Sequence, residues 1–570
     1  GIGMNREEMI ENLGRIGKSG SQDFRSKLAE VKSGDSNAAS NIIGQFGVGF
    51  YSAFMVSDKV EVYSKSVNEE TVGHKWVSSG TGTYDITPIK DIPRGTKIIL
   101  HLNETAAKEY ANQSRLELII KKHSNFVGFP IKLNQNVVNQ VKPLWLMAAK
   151  DVTEEDNVAF YQHIAKSFDK PQYTLRYQTD SPINIRSLLY VGERHNERYG
   201  LGRMEPGVSL YSRKVLIVPK SESLLPEWLR FIRGVVDSED VPLNIGREQL
   251  QDNALVTRLN NILTKRILRF FRDESKRDNE TYQTFFASFG QFLKEGACSD
   301  VQWRSEIAPL LRFNSSSLEN ADVSVSLDQY VERMKEGQKA IYFLTASSRE
   351  NALQSPYYEG FRDKGVEVLF LYSAVDEFVM SSLNEYQQWP LRSIESGDDL
   401  STLKSDKKES ENNKDDENSE KAEELSLSES EAKDLCSWLR TTLPDKLSSV
   451  KTTSRLTSTP AIVVDHQSAT MRRMMRNVDP DNIPPISAQA MEINPKHELI
   501  RNLERLRHKD AELATDVAAQ IVDNAFVSAG LIDDARVMLT RLNKLLSKTM
   551  NVVMDDARVP DAEVIEPKDK

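Results

Sequence analysis

The run richest in usable backbone chemistry is Gly44-Gln45-Phe46-Gly47-Val48-Gly49-Phe50, followed at once by Tyr51-Ser52-Ala53-Phe54-Met55-Val56. Gly44, Gly47 and Gly49 carry no side chain, so main-chain N–H groups there can approach an anion closely. A helix over 51–56 would add free N–H groups and the positive end of its dipole. That chemistry suits the phosphates of a nucleotide. The run is not a Walker A loop, because no Gly-Lys-Ser/Thr follows. It is not a dinucleotide fingerprint, because no strand precedes it and the glycine spacing differs. The plainer alternative is a Gly-rich turn before a buried helix.

Two further stretches carry polar chemistry. In Asn12-Leu13-Gly14-Arg15-Ile16-Gly17-Lys18-Ser19-Gly20, Asn12 can offer an amide oxygen to a metal or an N–H to a phosphate. Lys18 and Ser19 can do similar work. Gly14, Gly17 and Gly20 hinge a segment running to Gly44, as a lid over a ligand requires; a flexible surface loop is the alternative. Far downstream, Arg247 follows a turn built from Pro242, Asn244 and Gly246, where a helix opens. A guanidinium on a helix start can reach a γ-phosphate held by another domain, or it can merely pair with surface acids beside Glu248.

The elements that must position these groups are bounded by composition. At roughly 100–200 residues per domain, 570 residues predict about three to five domains. The 74 basic and 84 acidic side chains leave a net charge of −10, which argues against a protein built to grip nucleic acid. No run approaches the ~20 apolar residues that cross a bilayer. The only two cysteines, Cys298 and Cys436, exclude a disulfide scaffold and a cysteine-rich zinc site, and point to a reducing compartment. The eight histidines are scattered, with no two spaced three to five residues apart. Magnesium held by carboxylate or amide oxygens stays open.

Four blocks follow from the pattern. Residues 1–136 open with a helix and continue with strand-like runs over 59–64 and 95–102. Residues 141–396 mix strands, over 183–191, 210–218, 340–344 and 366–372, with helices over 255–272 and 282–295. Residues 397–431 form an acidic linker or loop. The stretch 398–433 holds 13 acidic and six basic residues, a net of −7. It is too polar to bury a core and is expected to be disordered, with an acidic docking tail as the alternative. Residues 432–570 are mostly helical. Leu499, Leu503 and Leu506 recur at helical spacing. Asp533 and Asp534 can cap a helix bearing Leu539, Leu542, Leu545, Leu546 and Met550. Such stripes serve either a dimer interface or an internal core. The opening Gly1-Ile2-Gly3-Met4, with no initiator Met and no leader, reads as a fragment lacking its N-terminus.

These signals converge on a resemblance. Gly1-Ile2-Gly3-Met4, Asn12-Leu13-Gly14, Lys18-Ser19-Gly20 and the 44–50 run resemble the ATP-binding domain of the 90-kDa heat-shock protein family. Trp228-Leu229-Arg230-Phe231-Ile232-Arg233-Gly234-Val235-Val236-Asp237-Ser238-Glu239-Asp240, Ser355-Pro356-Tyr357-Tyr358-Glu359 and Met491-Glu492-Ile493-Asn494-Pro495-Lys496-His497 continue it in family order. Leu210-Tyr211-Ser212-Arg213-Lys214-Val215-Leu216-Ile217 looks most like the mitochondrial branch. The ending Glu566-Pro567-Lys568-Asp569-Lys570 lacks the Met-Glu-Glu-Val-Asp tail of cytosolic members.

The resemblance implies an α/β protein: a Bergerat-type ATP-binding sandwich, an α/β middle domain and a mostly helical dimerisation domain. It implies an ATP-dependent chaperone that works as a homodimer on unfolded or partly folded clients. ATP and magnesium are its cofactors, with no nucleic acid and no transmembrane segment. The mitochondrial matrix is the implied location, the cytoplasm the alternative. Gly1, Gly3, Met4 and Thr96 match residues of the adenine pocket. Asn12 matches the lid asparagine; Lys18, Ser19 and Gly44, within the lid at about 12–44 or at its end, are counted with the nucleotide-binding residues. Gly47, Val48, Gly49 and Phe50 match the phosphate-binding turn. Arg247 matches the arginine that reaches the γ-phosphate, and Gln251 a polar neighbour. Gly246 stands where the family usually has Ser. The family's general-base glutamate, magnesium-binding asparagine and adenine-reading aspartate match no residue here, so no metal ligand is named. The parent is expected to be an ATPase and this fragment inactive. A nucleotide-independent holdase or scaffold is the alternative, and a DNA-repair relative with the same ATP fold a more distant one.

Overall fold

Alternation sets the first sheet. In strand β1, Ser57–Lys65, the side chains of Val60, Val62 and Ser64 point inward and are fully buried, while Glu61 and Tyr63 take the other face. β2 (Gly73–Ser78), β3 (Asp85–Ile89) and β4 (Gly95–Leu102) complete an antiparallel sheet in the order β3-β2-β1-β4. The register puts Val62 opposite both Trp76 and Ile98. The helix Arg6–Leu13 lays Met9 and Leu13 on Val60, Val62 and Trp76. Its start is fixed by a reciprocal cap: Glu8 N–H donates to the Asn5 side chain, and Asn5 N–H donates to the Glu8 carboxylate, each at 2.8 Å. Ile98 and Leu100 share the inward face with Val62 and Val60, yet are 50% and 38% exposed. The apolar face of this sheet is thus incompletely covered among the described residues.

The computed structural model describes residues 1–18, 47–68, 72–139, 141–241, 253–320, 323–397, 426–468, 471–472, 474, 487–532 and 535–556. The chain divides into two units, Gly1–Phe270 and Phe271–Lys570. The first unit also holds a short hairpin, β5 (Lys132–Leu133) with β6 (Asn136–Val137). Its second sheet comprises β7 (Pro171–Thr179), β8 (Ile185–Gly192), β9 (Gly207–Ser212), β10 (Val215–Val218) and β11 (Arg233–Asp237), in the order β10-β9-β11-β8-β7.

The run 210–218, expected as one strand, is two strands joined by a tight turn at Arg213 and Lys214, with φ of 51° and 69°. Left-handed backbone at both central positions is the two-residue hairpin geometry that Asn-Gly usually marks. Here a buried carboxylate supplies the missing preference. Asp237 accepts the Arg213 and Lys214 N–H groups at 2.9 and 3.1 Å, and the Trp145 indole N–H at 3.0 Å.

In the second unit, β12 (Asn314–Ser315), β13 (Ile341–Thr345), β14 (Leu369–Leu371), β15 (Glu385–Tyr386) and β16 (Trp389–Ser393) form a mixed sheet ordered β12-β14-β13-β16-β15. β13 runs parallel to β14 and β16, as expected of strands linked by helices. A three-stranded sheet follows, β17 (Leu447–Thr452), β19 (Gln489–Ile493) and β18 (Ala461–Val464) in spatial order. It is covered by the helices Glu429–Thr442, Glu498–Arg507 and Ala511–Ser528, whose core includes Leu435, Leu439, Met491, Leu503 and Val522. The helix Leu539–Asp556 follows a 3-10 turn, Ala535–Met538. The proposed cap at Asp533 and Asp534, and residues 398–425 of the acidic stretch, lie outside the described residues. No described helix is long and apolar enough to cross a membrane.

Candidate functional site

Two clusters build the site, and the helix Arg6–Leu13 links them. At the first, the opening residues lie along the end of β1. Val67 N–H donates to the Ile2 carbonyl at 2.7 Å, and Met4 N–H donates to Ser64 Oγ at 2.8 Å. Between them Gly3 takes φ 71°, and a Cβ there would stand 1.7 Å from the Lys65 carbonyl oxygen. Only glycine fits. Ser64 Oγ also lies 3.2 Å from the Gly95 carbonyl oxygen and 2.9 Å from Thr96 Oγ1. Gly95 itself, at φ 120°, faces Gly1. The structure therefore brings Gly1, Gly3, Met4 and Thr96 together around one fully buried hydroxyl. Thr96 is exposed on the inward face of β4.

At the second cluster the glycine turn meets the end of the opening helix. Gly47 takes φ 64°, and a Cβ there would lie 2.2 Å from the Lys18 carbonyl oxygen. The turn is thus seated on the Lys18 main chain. Among the described residues, a Cβ on Gly49 would meet nothing within 4 Å, so they leave that side of the turn open. Val48 O accepts the Tyr51 N–H at 3.1 Å, which starts a 3-10 turn, Gly49–Ser52, before one helical turn, Ala53–Val56. The helix expected over 51–56 is therefore shorter and tighter at its start. Phe50 packs edge-on against Trp76, with ring centroids 5.6 Å apart, and so ties the turn to the core. Tyr51 Oη donates to the Leu13 carbonyl at 2.9 Å. Burial pushes the Tyr51 hydroxyl pKa up and keeps it a donor.

Asn12 stands half-buried in the last turn of the opening helix. Lys18 Nζ sits 2.9 Å from the Glu11 carboxylate and holds that carboxyl below its ordinary range. Of the residues expected at the site, Ser19, Gly44, Arg247 and Gln251 lie outside the described residues. Among the described residues the glycine turn keeps one open side, at Gly49, where main-chain groups could meet an anion. Among the described residues no group of three His, Cys, Asp or Glu side chains could hold a metal. A cavity of about 400 Å³ lies elsewhere in the first unit, against β9, with Met204, Val208, Leu225 and Arg230 in its wall. Its lining includes none of the glycine-cluster residues, and its buried Arg230 is already paired with Glu197 at 2.8 Å.

Ser64 is the residue that motif reading missed. Its signal lay in the alternation of β1: a hydroxyl at the third inward position, after Val60 and Val62, calls for buried polar partners.

In the second unit, Leu503 belongs to the core while Leu499 is half exposed. On the last helix Leu539, Leu542, Leu546 and Met550 are exposed at helical spacing. That helix is tethered to Ala511–Ser528 by Arg541 with Asp523 and by Lys544 with Asp516. In the run Met471-Arg472-Arg473-Met474-Met475, whose flexible methionines are candidates for client contact or for buried core, Met474 is exposed, while Arg473 and Met475 lie outside the described residues.

Comparison with known proteins bears on the family of the chain. Residues 132–570 match the family model described as Hsp90 protein. The TNF receptor-associated protein 1 homolog, mitochondrial, of Dictyostelium discoideum is 47% identical over 96% of this chain and 75% of its own length. The chaperone protein HtpG of Desulfitobacterium hafniense (strain Y51) is 43% identical, over 96% and 87% of the two chains. The heat shock protein 75 kDa, mitochondrial, of Rattus norvegicus is 42% identical, over 96% and 77%. With more than half its length under the family model and relatives this similar, the chain belongs to the Hsp90 protein family.

Proposed function

We propose that the protein is an ATP-driven chaperone that works as a homodimer, closing on ATP and reopening after hydrolysis to assist the folding of client proteins. The observation that carries this reading is the meeting of Gly1, Gly3, Met4 and Thr96 around Ser64, with the Gly47–Phe50 turn at the other end of one helix. One cluster is suited to a base, the other to phosphates.

In this reading 1–136 form the nucleotide domain, 141–396 the middle domain, 397–431 an acidic linker and 432–570 the dimerisation domain. Gly47 and Gly49 hold the phosphates by main-chain N–H groups, and Lys18 adds charge. Residues 12–44 close as a lid. Arg247 reaches the γ-phosphate and stabilises charge that develops as the bond to it breaks, with Gln251 beside it. The lid and arginine contacts exist only in the closed form, so ATP shifts the balance toward closure by their free energy. The exposed face of Leu539, Leu542, Leu546 and Met550 pairs two protomers. Clients bind apolar surface including Met471 and Met474, since methionine adapts to varied partners. It works in the mitochondrial matrix, with the cytoplasm as the alternative; similarity to two mitochondrial relatives supports the first.

The test is titration of the full-length protein with a fluorescent ATP analogue, alongside sedimentation at micromolar concentration. Saturable binding displaced by ATP, on a dimer, is expected. A monomer that ignores adenine nucleotides would contradict the reading.

A further inference from the structure

Tyr357 and His466 meet where the 3-10 turn Pro356–Tyr358 packs on the chain leaving β18. Tyr357 is 2% exposed, and its hydroxyl gives its one hydrogen to the Val463 carbonyl at 2.7 Å. The same oxygen lies 3.1 Å from His466 Nε2. With its hydrogen used, that oxygen can only accept, so Nε2 has to carry a hydrogen. His466 Nδ1 lies 2.9 Å from the Gln467 carbonyl oxygen, which also only accepts. Both ring nitrogens are therefore donors, and only the imidazolium has two. A neutral ring keeps one contact and sets a lone pair against an oxygen at the other.

The surroundings pull both ways. Burial holds the His466 pKa below its ordinary value, against the Gln467 carbonyl and the Asp465 carboxylate, which favour the charged ring. On the helix Ala374–Leu383, Glu377 accepts the Ser468 hydroxyl at 2.6 Å. Glu395, Arg455 and Glu492 act on Tyr357 from its other side. Arg455 is paired with Glu492 at 2.9 Å. Burial, with Glu377 nearby, pushes Glu395 up to about 8, so it is mostly uncharged at neutral pH. The ring is thus poised between opposed demands, within reach of physiological pH.

We propose that His466 is a proton-operated latch: as imidazolium it ties the chain leaving β18 to Tyr357, and on losing its proton it drops one of its two contacts. The tied chain runs on to Ser468. The Ser468 hydroxyl oxygen accepts the Met471 N–H, and its carbonyl the Arg472 N–H, each at 3.1 Å. One proton therefore sets how firmly the start of the methionine-bearing segment is held.

The experiment follows the His466 ring by NMR in full-length protein labelled at histidine Cε1, with the signal assigned by its absence in His466→Gln. In Tyr357→Phe the oxygen that takes the Nε2 hydrogen is gone. The His466 pKa should then fall by about one pH unit, a ten-fold loss of proton affinity on the scale of one charge-assisted hydrogen bond. A rise would mean a neutral ring that accepts from Tyr357, and an unchanged value would mean no contact; either overturns the proposal. Hydrogen exchange over 463–468, corrected for intrinsic rates, reads the latch without the tyrosine variant. Protection in the wild type should fall about ten-fold from pH 5.5 to pH 8, and should stay flat in His466→Gln. A wild type whose protection is also flat would overturn the proposal.

Discussion

Asp523 and Arg541 meet at 2.5 Å, joining the helix Ala511–Ser528 to the helix that carries the exposed leucine stripe. Asp523 is 2% exposed and is shared with Lys446 of the short approach to β17. One buried carboxylate therefore fixes how the last helix leaves the core. Removing it strands two cations. Breaking a fully buried pair costs about 3–5 kcal/mol, but Lys446 and Arg541 are 37% and 22% exposed and water relieves part of that. Asp523→Asn should lose about 2 kcal/mol of unfolding free energy in urea. An unmoved midpoint would show that the carboxylate does not anchor the helix.

The stripe itself answers to a different measurement. Leu542 and Leu546 contribute little to the core of their own chain, being exposed. Leu542→Asp with Leu546→Asp should leave the helical circular dichroism signal within about 10% while shifting the sedimenting species from dimer to monomer, because charges at an apolar interface lose solvation without a partner. A dimer that survives both charges would place the interface elsewhere.

Gly3→Ala tests the first cluster. A left-handed backbone costs a non-glycine residue about 1–3 kcal/mol, and the added carbon also collides with the Lys65 carbonyl. The first unit should melt several degrees lower, with the loss seen in the fluorescence of Trp76, which is buried in that unit's core. A variant melting like the wild type would mean that the opening residues do not hold this path.

Much of this was legible beforehand, for reasons that differ by element. β1 announced itself through Val60, Val62 and the polar residues between them, since a half-buried strand must alternate. The long helix Asn253–Arg277 showed in its spacing of apolar residues, though it runs beyond both expected ends. The turn at Arg213 and Lys214 was hidden, because neither residue is a turn former. Asp237, more than twenty positions away, dictates it. The glycines at 47 and 49 were visible as a motif, but only three-dimensional packing distinguishes Gly47, pressed on Lys18, from Gly49, open to solvent. The alternation of β1 put Ser64 on the inward face, but its partners were hidden, because they come from residues sixty positions before and about thirty after it.

Acid should unmask the outer face of the first sheet. Glu61 is held at about 2, first by Lys59, then by Tyr63 and Lys75. A carboxyl depressed in the folded state stabilises it fully above its unfolded value, near 4.5, and loses that contribution as pH falls toward 2. Glu61→Gln lacks the titration. The gap in urea midpoint between wild type and Glu61→Gln should therefore narrow between pH 6 and pH 3, and narrow also in high salt, since Lys59 is half exposed. A gap constant with pH would remove Glu61 from the account.

In the proposed cycle an arginine of the middle block, Arg247, meets a triphosphate held by the first block. Steady-state turnover and nucleotide affinity of full-length Arg247→Ala, measured side by side, test that contact. Affinity is expected within two-fold of wild type and turnover lower by about 100-fold, the scale of losing one preorganised contact to developing charge. Undiminished turnover with intact binding would contradict it.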